Sequence, residues 1–124
     1  MLRFLNLAAA ALLFLHGLVH LLGTAVYLRL AEIPEFPYKT TLLNGYWDLG
    51  PAGIRIVGVL WAGAAVGLWV GALAFLLDWP NWRVLLVGVT LFSVVLTALD
   101  WTVAYAGLIV NVGILAALFL APRL

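Results

Sequence analysis

Residues 4–28 read FLNLAAAALLFLHGLVHLLGTAVYL. The run is long and apolar enough to cross a bilayer, which takes about 20 such residues. Within a bilayer every backbone N–H and C=O must find its partner inside the segment, so the run must be helical. Working outward, three more runs qualify: Ala52 to Leu77, Arg83 to Leu99 and Thr102 to Leu120. The expected fold class is therefore all-α, an integral membrane four-helix bundle. Residues 1–124 form a single domain, with helices at about 4–28, 52–77, 83–99 and 102–120.

Composition agrees. The chain has 124 residues, 67% of them apolar and 9% charged, with a mean hydropathy of +1.21. A soluble domain runs about 45–50% apolar and about 25% charged. A chain this short leaves about a third of its surface exposed, so it cannot hide this much apolar surface in water. Disorder needs the opposite composition. The net charge is +1 and no basic tract exists, which excludes a nucleic-acid footprint. Cysteine is absent, which removes disulfides, thiolate metal sites and dithiol redox chemistry. The start, Met1-Leu2-Arg3 and an apolar run to Gly23-Thr24-Ala25, has features of a signal peptide. The run exceeds the usual core of about 7–15 residues, so it reads as a retained helix.

The one long connection, residues 29–51, carries Pro34, Pro37, Gly45, Gly50 and Pro51, which break regular structure. It also carries Ile33, Phe36, Tyr38, Tyr46 and Trp47. Such a loop belongs on the bundle's mouth or in the headgroup layer, which Tyr and Trp favour. It is a candidate lid. Asp78-Trp79-Pro80-Asn81-Trp82-Arg83 marks an interfacial turn, and Asp100-Trp101 marks the next. The expectation is that the chain leaves the membrane at Pro122-Arg123-Leu124, with no domain outside it. Arg3, Arg83 and Arg123 on one side balance Arg29, Lys39 and Arg55 on the other. The positive-inside rule barely decides. With the α-amino group added, the expectation is both termini inside. The loop and the Asp100 turn share the other side, the loop face.

Placing side chains at about 100° per residue gathers Asn6, His16, His20, Thr24 and Tyr27 within roughly 80° on the first helix. Thr90, Ser93, Thr97 and Asp100 gather as narrowly on the third. Polar groups facing lipid are costly, so both stripes should face the interior. His16 lies near mid-membrane and His20 about 6 Å nearer the loop face. Arg55, Thr97, Asp100 and Tyr105 lie at that face, and Asn111 at the middle of the fourth helix. The expectation is a polar pocket opening to the loop face, lined by His16, His20, Thr24, Tyr27, Arg55, Ser93, Thr97, Asp100 and Asn111. Trp61 and Trp101 would wall it. Gly63, Gly67 and Gly71 form a small-residue seam on the second helix, for packing against the first or third.

Several chemistries remain for the two histidines. They could relay protons, bond a quinone, or act as neutral glue to Ser93, Thr97 or a carbonyl. As sole pair they cannot ligate haem from both faces, because residues four apart share one helix face. A divalent metal needs a third ligand, and Asp100 lies a turn or two too high. No metal site is expected. Arg55 and Asp100 read either as snorkelling end charges or as an ion pair at the pocket mouth, with Asp48 a rival partner for Arg55. Asn111 suits a packing bond between helices. Ser93 has a conceivable base in either histidine, but no oxyanion hole is visible, and whether the protein is an enzyme stays open.

The first helix, Arg3-Phe4 with Phe14-Leu15-His16-Gly17-Leu18-Val19-His20-Leu21-Leu22-Gly23, resembles the opening helix of the DoxX-like family of small four-helix bacterial membrane proteins. The layout and the Gly-rich second helix are similar too. His20 stands where the family usually has Lys, and Arg55 stands near a usual acid. The resemblance implies an accessory subunit of a membrane redox system, sometimes quinone-linked, in the bacterial inner membrane. Three functions follow in order of preference. The first is a lipophile- or quinone-binding subunit. The second is a structural or assembly subunit, joined to a larger membrane partner or to its own copies. The third is a small proton-coupled transporter or channel.

Overall fold

A computed structural model describes residues 2–120. The Pro122-Arg123-Leu124 end, with its share of the charge balance, lies outside them, as does Met1. Four helices make up the fold: α1 (Leu2–Tyr27), α2 (Gly50–Leu76), α3 (Trp82–Leu99) and α4 (Trp101–Leu120). Each is long and apolar enough to span a membrane. The chain is an all-α four-helix bundle. Its outside is a belt of exposed Leu, Val, Ile and Phe, including Leu12, Ile56, Val84, Leu91, Ile109 and Phe119. In water a surface like this would aggregate; against lipid chains it costs nothing.

The helix ends follow from local backbone chemistry. Arg29 takes a left-handed φ of 60°, and the Leu30 N–H folds back onto the Ala25 carbonyl at 2.7 Å, closing α1. Asp78 does the same for α2, with φ 54° and Trp79 N–H on the Ala74 carbonyl at 2.9 Å. Pro51 stands in the first turn of α2, where its missing N–H leaves no helical bond unmade. Asp100 (φ −115°) and a break in the helix at Ala104 (φ −113°, ψ 15°) turn the chain from α3 into α4, and the two pack as a tight pair.

Helices pack in chain order, α1 on α2, α2 on α3 and α3 on α4. Small residues let them approach. A Cβ on Gly17 would meet the Trp69 indole at 2.7 Å, and one on Gly23 the Trp61 ring at 2.9 Å. Gly67 and Gly71 face Val89 and Leu86 of α3, while a Cβ on Gly63 would meet nothing within 4 Å. The seam on α2 thus serves the chain's own third helix at two of its three glycines. Trp61, expected as a pocket wall, and Trp69 fill the α1–α2 interface.

The long connection is folded. β1 (Thr41–Leu42) and β2 (Trp47–Asp48) pair antiparallel across the turn Leu43–Tyr46. Gly45 supplies a φ of 90° there. The Leu43 N–H donates to the Leu99 carbonyl at 2.8 Å, and Leu42 and Phe36 are buried. The expected lid is a hairpin seated on the end of α3.

Candidate functional site

Two polar clusters and one groove occupy the interior. The first cluster lies at mid-membrane on α1, α3 and α4. The His20 Nδ1–H donates to the His16 carbonyl oxygen at 2.6 Å, one turn back. The Ser93 hydroxyl donates to His20 Nε2 at 2.5 Å. Asn111 Nδ2 donates to Ser93 Oγ at 2.8 Å and Thr97 Oγ1 at 3.2 Å. The His16 Nε2–H donates to Asn111 Oδ1 at 2.7 Å. Thr97 donates back to the Ser93 carbonyl at 2.8 Å. The two imidazoles meet edge to face at 4.6 Å, and Trp61 packs on His20 at 5.1 Å. Sequence periodicity pointed to His16, His20, Ser93 and Thr97, and depth along the fourth helix to Asn111; the fold brings all five together.

The second cluster closes the loop face. Tyr27 OH donates to Asp100 Oδ2. Lys39, from the loop, donates to Asp100 Oδ1 and to Tyr27 OH, each at 2.6 Å. Asp100 is 1% exposed and Lys39 24%. The ammonium also sits 5.1 Å from the centre of the Tyr27 ring, where the ring face attracts a cation.

Several expectations need correcting. Arg55 does not enter the site: it is exposed at the start of α2. Asp100 takes Lys39 as its partner instead, because the hairpin carries that lysine over the end of α3. Asp48 does not meet Arg55 either; its Oδ1 accepts from Thr40 Oγ1 and the Gly50 N–H, both at 3.0 Å. Thr24 stands apart from the histidines and donates to the Gly58 carbonyl at 2.7 Å, tying α1 to α2. The pocket itself is displaced. Polar groups in an apolar medium pair when they can reach each other, and here they bond to one another. Trp101 is exposed and walls nothing.

The open volume lies in the other half of the bundle. It is a groove of about 690 Å³ between α1 and α4, floored by α3 and the end of α2. Leu12, Leu13, Phe75, Leu86, Val110 and Ile114 line it. It exists because α4 follows α3 and meets α1 chiefly through the His16–Asn111 bond, and because Gly113, where a Cβ would meet nothing within 4 Å, leaves space on α4. His16, 7% exposed, stands at its upper end, and Trp82 and Arg83 at its lower end. Arg83 Nη1 there donates to the Leu118 carbonyl at 2.5 Å.

Chemically, the buried Ser93–His20 pair is sealed from any substrate. Among the described residues no group of three or more His, Cys, Asp or Glu is arranged to hold a metal. Sequence reasoning missed Lys39 and the groove. A buried Asp100 demands a cation, which is a signal, but three loop-face cations, Arg29, Lys39 and Arg55, competed for that role. No protein-family model, no curated protein and no solved structure matches the chain.

Proposed function

We propose that the protein binds an elongated lipophile in the groove between α1 and α4, as a small accessory subunit of a membrane redox system. The groove carries this reading. Its volume of about 690 Å³ lies within the range of small-molecule sites, about 300–1,000 Å³. From Gly107 to Leu118 it follows α4 for about 16 Å. Its walls are aliphatic and aromatic, with the His16 imidazole at the end nearest the membrane centre and Arg83 at the other. An isoprenoid quinone or its quinol has this form, a long apolar tail and a small polar ring. The resemblance of α1 to the DoxX-like family supports the redox setting, and with it a bacterial inner membrane; the α-amino group, added to an even Lys/Arg balance, supports both termini inside.

Gly113 gives a test that spares the fold. A Cβ there would meet nothing within 4 Å, so Gly113→Phe should fill the groove without displacing a neighbour. Purified wild-type protein should yield a lipophile on solvent extraction and mass spectrometry. Gly113→Phe, with helicity unchanged by circular dichroism, should lose it. Identical lipid content in the two proteins removes the reading.

A structural role is the second reading, favoured by α4, of which Ala104 and Asn111 alone are buried among the described residues. A partner's helix would then lie in the same groove. Affinity purification from native membranes decides between them, since a stoichiometric partner lost in Gly113→Phe supports the second.

A further inference from the structure

The polar cluster has a direction, and it begins at a group that cannot change roles. The His16 carbonyl only accepts, so His20 must carry its proton on Nδ1. In the uncharged ring, Nε2 of His20 then holds a lone pair. Ser93 must give its one hydroxyl proton to that lone pair. Having spent it, Ser93 can only accept from Asn111, which turns the amide NH2 toward Ser93 and Thr97. The amide oxygen is left facing His16, so His16 carries its proton on Nε2. Five residues on three helices thus fix one proton position, and His16 Nδ1 is left as a lone pair.

That nitrogen has no partner among the described residues. Nor is it sealed: the side-chain atoms both sealed and unpartnered are Trp61 Nε1 and Thr90 Oγ1. His16 is otherwise buried, and it stands in the wall of the groove.

Building on the groove reading above, we infer that the lipophile taken there presents a hydrogen-bond donor, a hydroxyl on an apolar tail, to Nδ1 of His16. A carbonyl or ether oxygen would set lone pair against lone pair. A fatty or isoprenoid alcohol, or the reduced quinol form of a redox lipid, satisfies the site; the oxidised quinone does not satisfy it equally.

The test uses full-length protein in nanodiscs with ¹⁵N-labelled imidazoles. Nitrogen shifts should show His20 protonated on Nδ1 and His16 on Nε2. Three probes share a tail and differ at the head: 1-dodecanol, its methyl ether and 2-dodecanone. Retention is measured above empty nanodiscs at equal probe content in the membrane. The alcohol should bind about three- to tenfold tighter than the other two, the value of one net hydrogen bond. It should also shift the His16 Nδ1 resonance, and Gly113→Phe should abolish retention of all three. Equal retention of the three probes, preference for the ketone, or a His16 proton on Nδ1 overturns the inference. If Gly113→Phe still removes the bound probe in those cases, the groove reading survives it. No retention above empty nanodiscs, or retention indifferent to Gly113→Phe, overturns both.

Discussion

Asp100 is a carboxylate at 1% exposure, held by Tyr27 and by Lys39. Burying a charge is tolerable only when it is paired and hydrogen-bonded. Lys39→Met leaves the carboxylate with the tyrosine alone and should cost about 2–3 kcal/mol, the lower part of the range for breaking a buried pair. Lys39→Met combined with Asp100→Asn removes both charges and keeps an acceptor for Tyr27. It should unfold in mixed micelles nearer to wild type than the single variant does. Equal loss in both would mean that the ion pair does not anchor the loop. At this scale the sequence was informative where residues sit on helices. His16, His20, Ser93 and Thr97 were legible because a helix turns by a known angle per residue, and Asn111 because it rises by a known distance. Lys39 was not, since nothing in a Pro- and Gly-broken loop gives its side chain a direction in advance.

At the scale of elements, close approach of α1 and α2 depends on two glycines that each accept an indole ring. A ring cannot step aside as a flexible chain end can. Gly23→Ala, with its Cβ 2.9 Å from the Trp61 ring, should destabilise by about 1–3 kcal/mol, the usual cost of overpacking. Gly63→Ala enters open space. It should be neutral, or stabilising by up to about 1 kcal/mol through helix propensity. Denaturant midpoints for the pair check this, and a reversed order would show that the glycine seam, not the ring pockets, sets the approach. The repeat of Gly63, Gly67 and Gly71 was visible in sequence as a packing face. The pairing of Gly17 with Trp69 and Gly23 with Trp61 was not, because it joins two helices whose relative height depends on the whole bundle.

Across the whole molecule, α4 is the least committed helix. It leans on α3 through the Asp100 turn and reaches α1 through Asn111. Asn111→Leu removes three side-chain hydrogen bonds at once. Interhelical bonds of this kind average about 0.6 kcal/mol in membranes, so the loss should be modest but local. Hydrogen exchange in detergent should rise first in residues 112–120, while the α1–α2 pair keeps its protection. Uniform acceleration along the chain would instead make the amide a keystone of the entire fold.

What the sequence by itself determined is the count of helices and their inward faces. Both follow from single-segment physics: a backbone in lipid must satisfy itself within each run, and polar groups turn away from hydrocarbon. Only the tertiary structure decided what those faces do on meeting. It seated Lys39 on Asp100, closed the polar residues on one another, and left the open space on the apolar side between α1 and α4. The physical reason is that distances between helices depend on relative height and rotation. The turn from Asp100 to Ala104 and ring-on-glycine packing set those, and the packing joins residues that lie far apart in the chain.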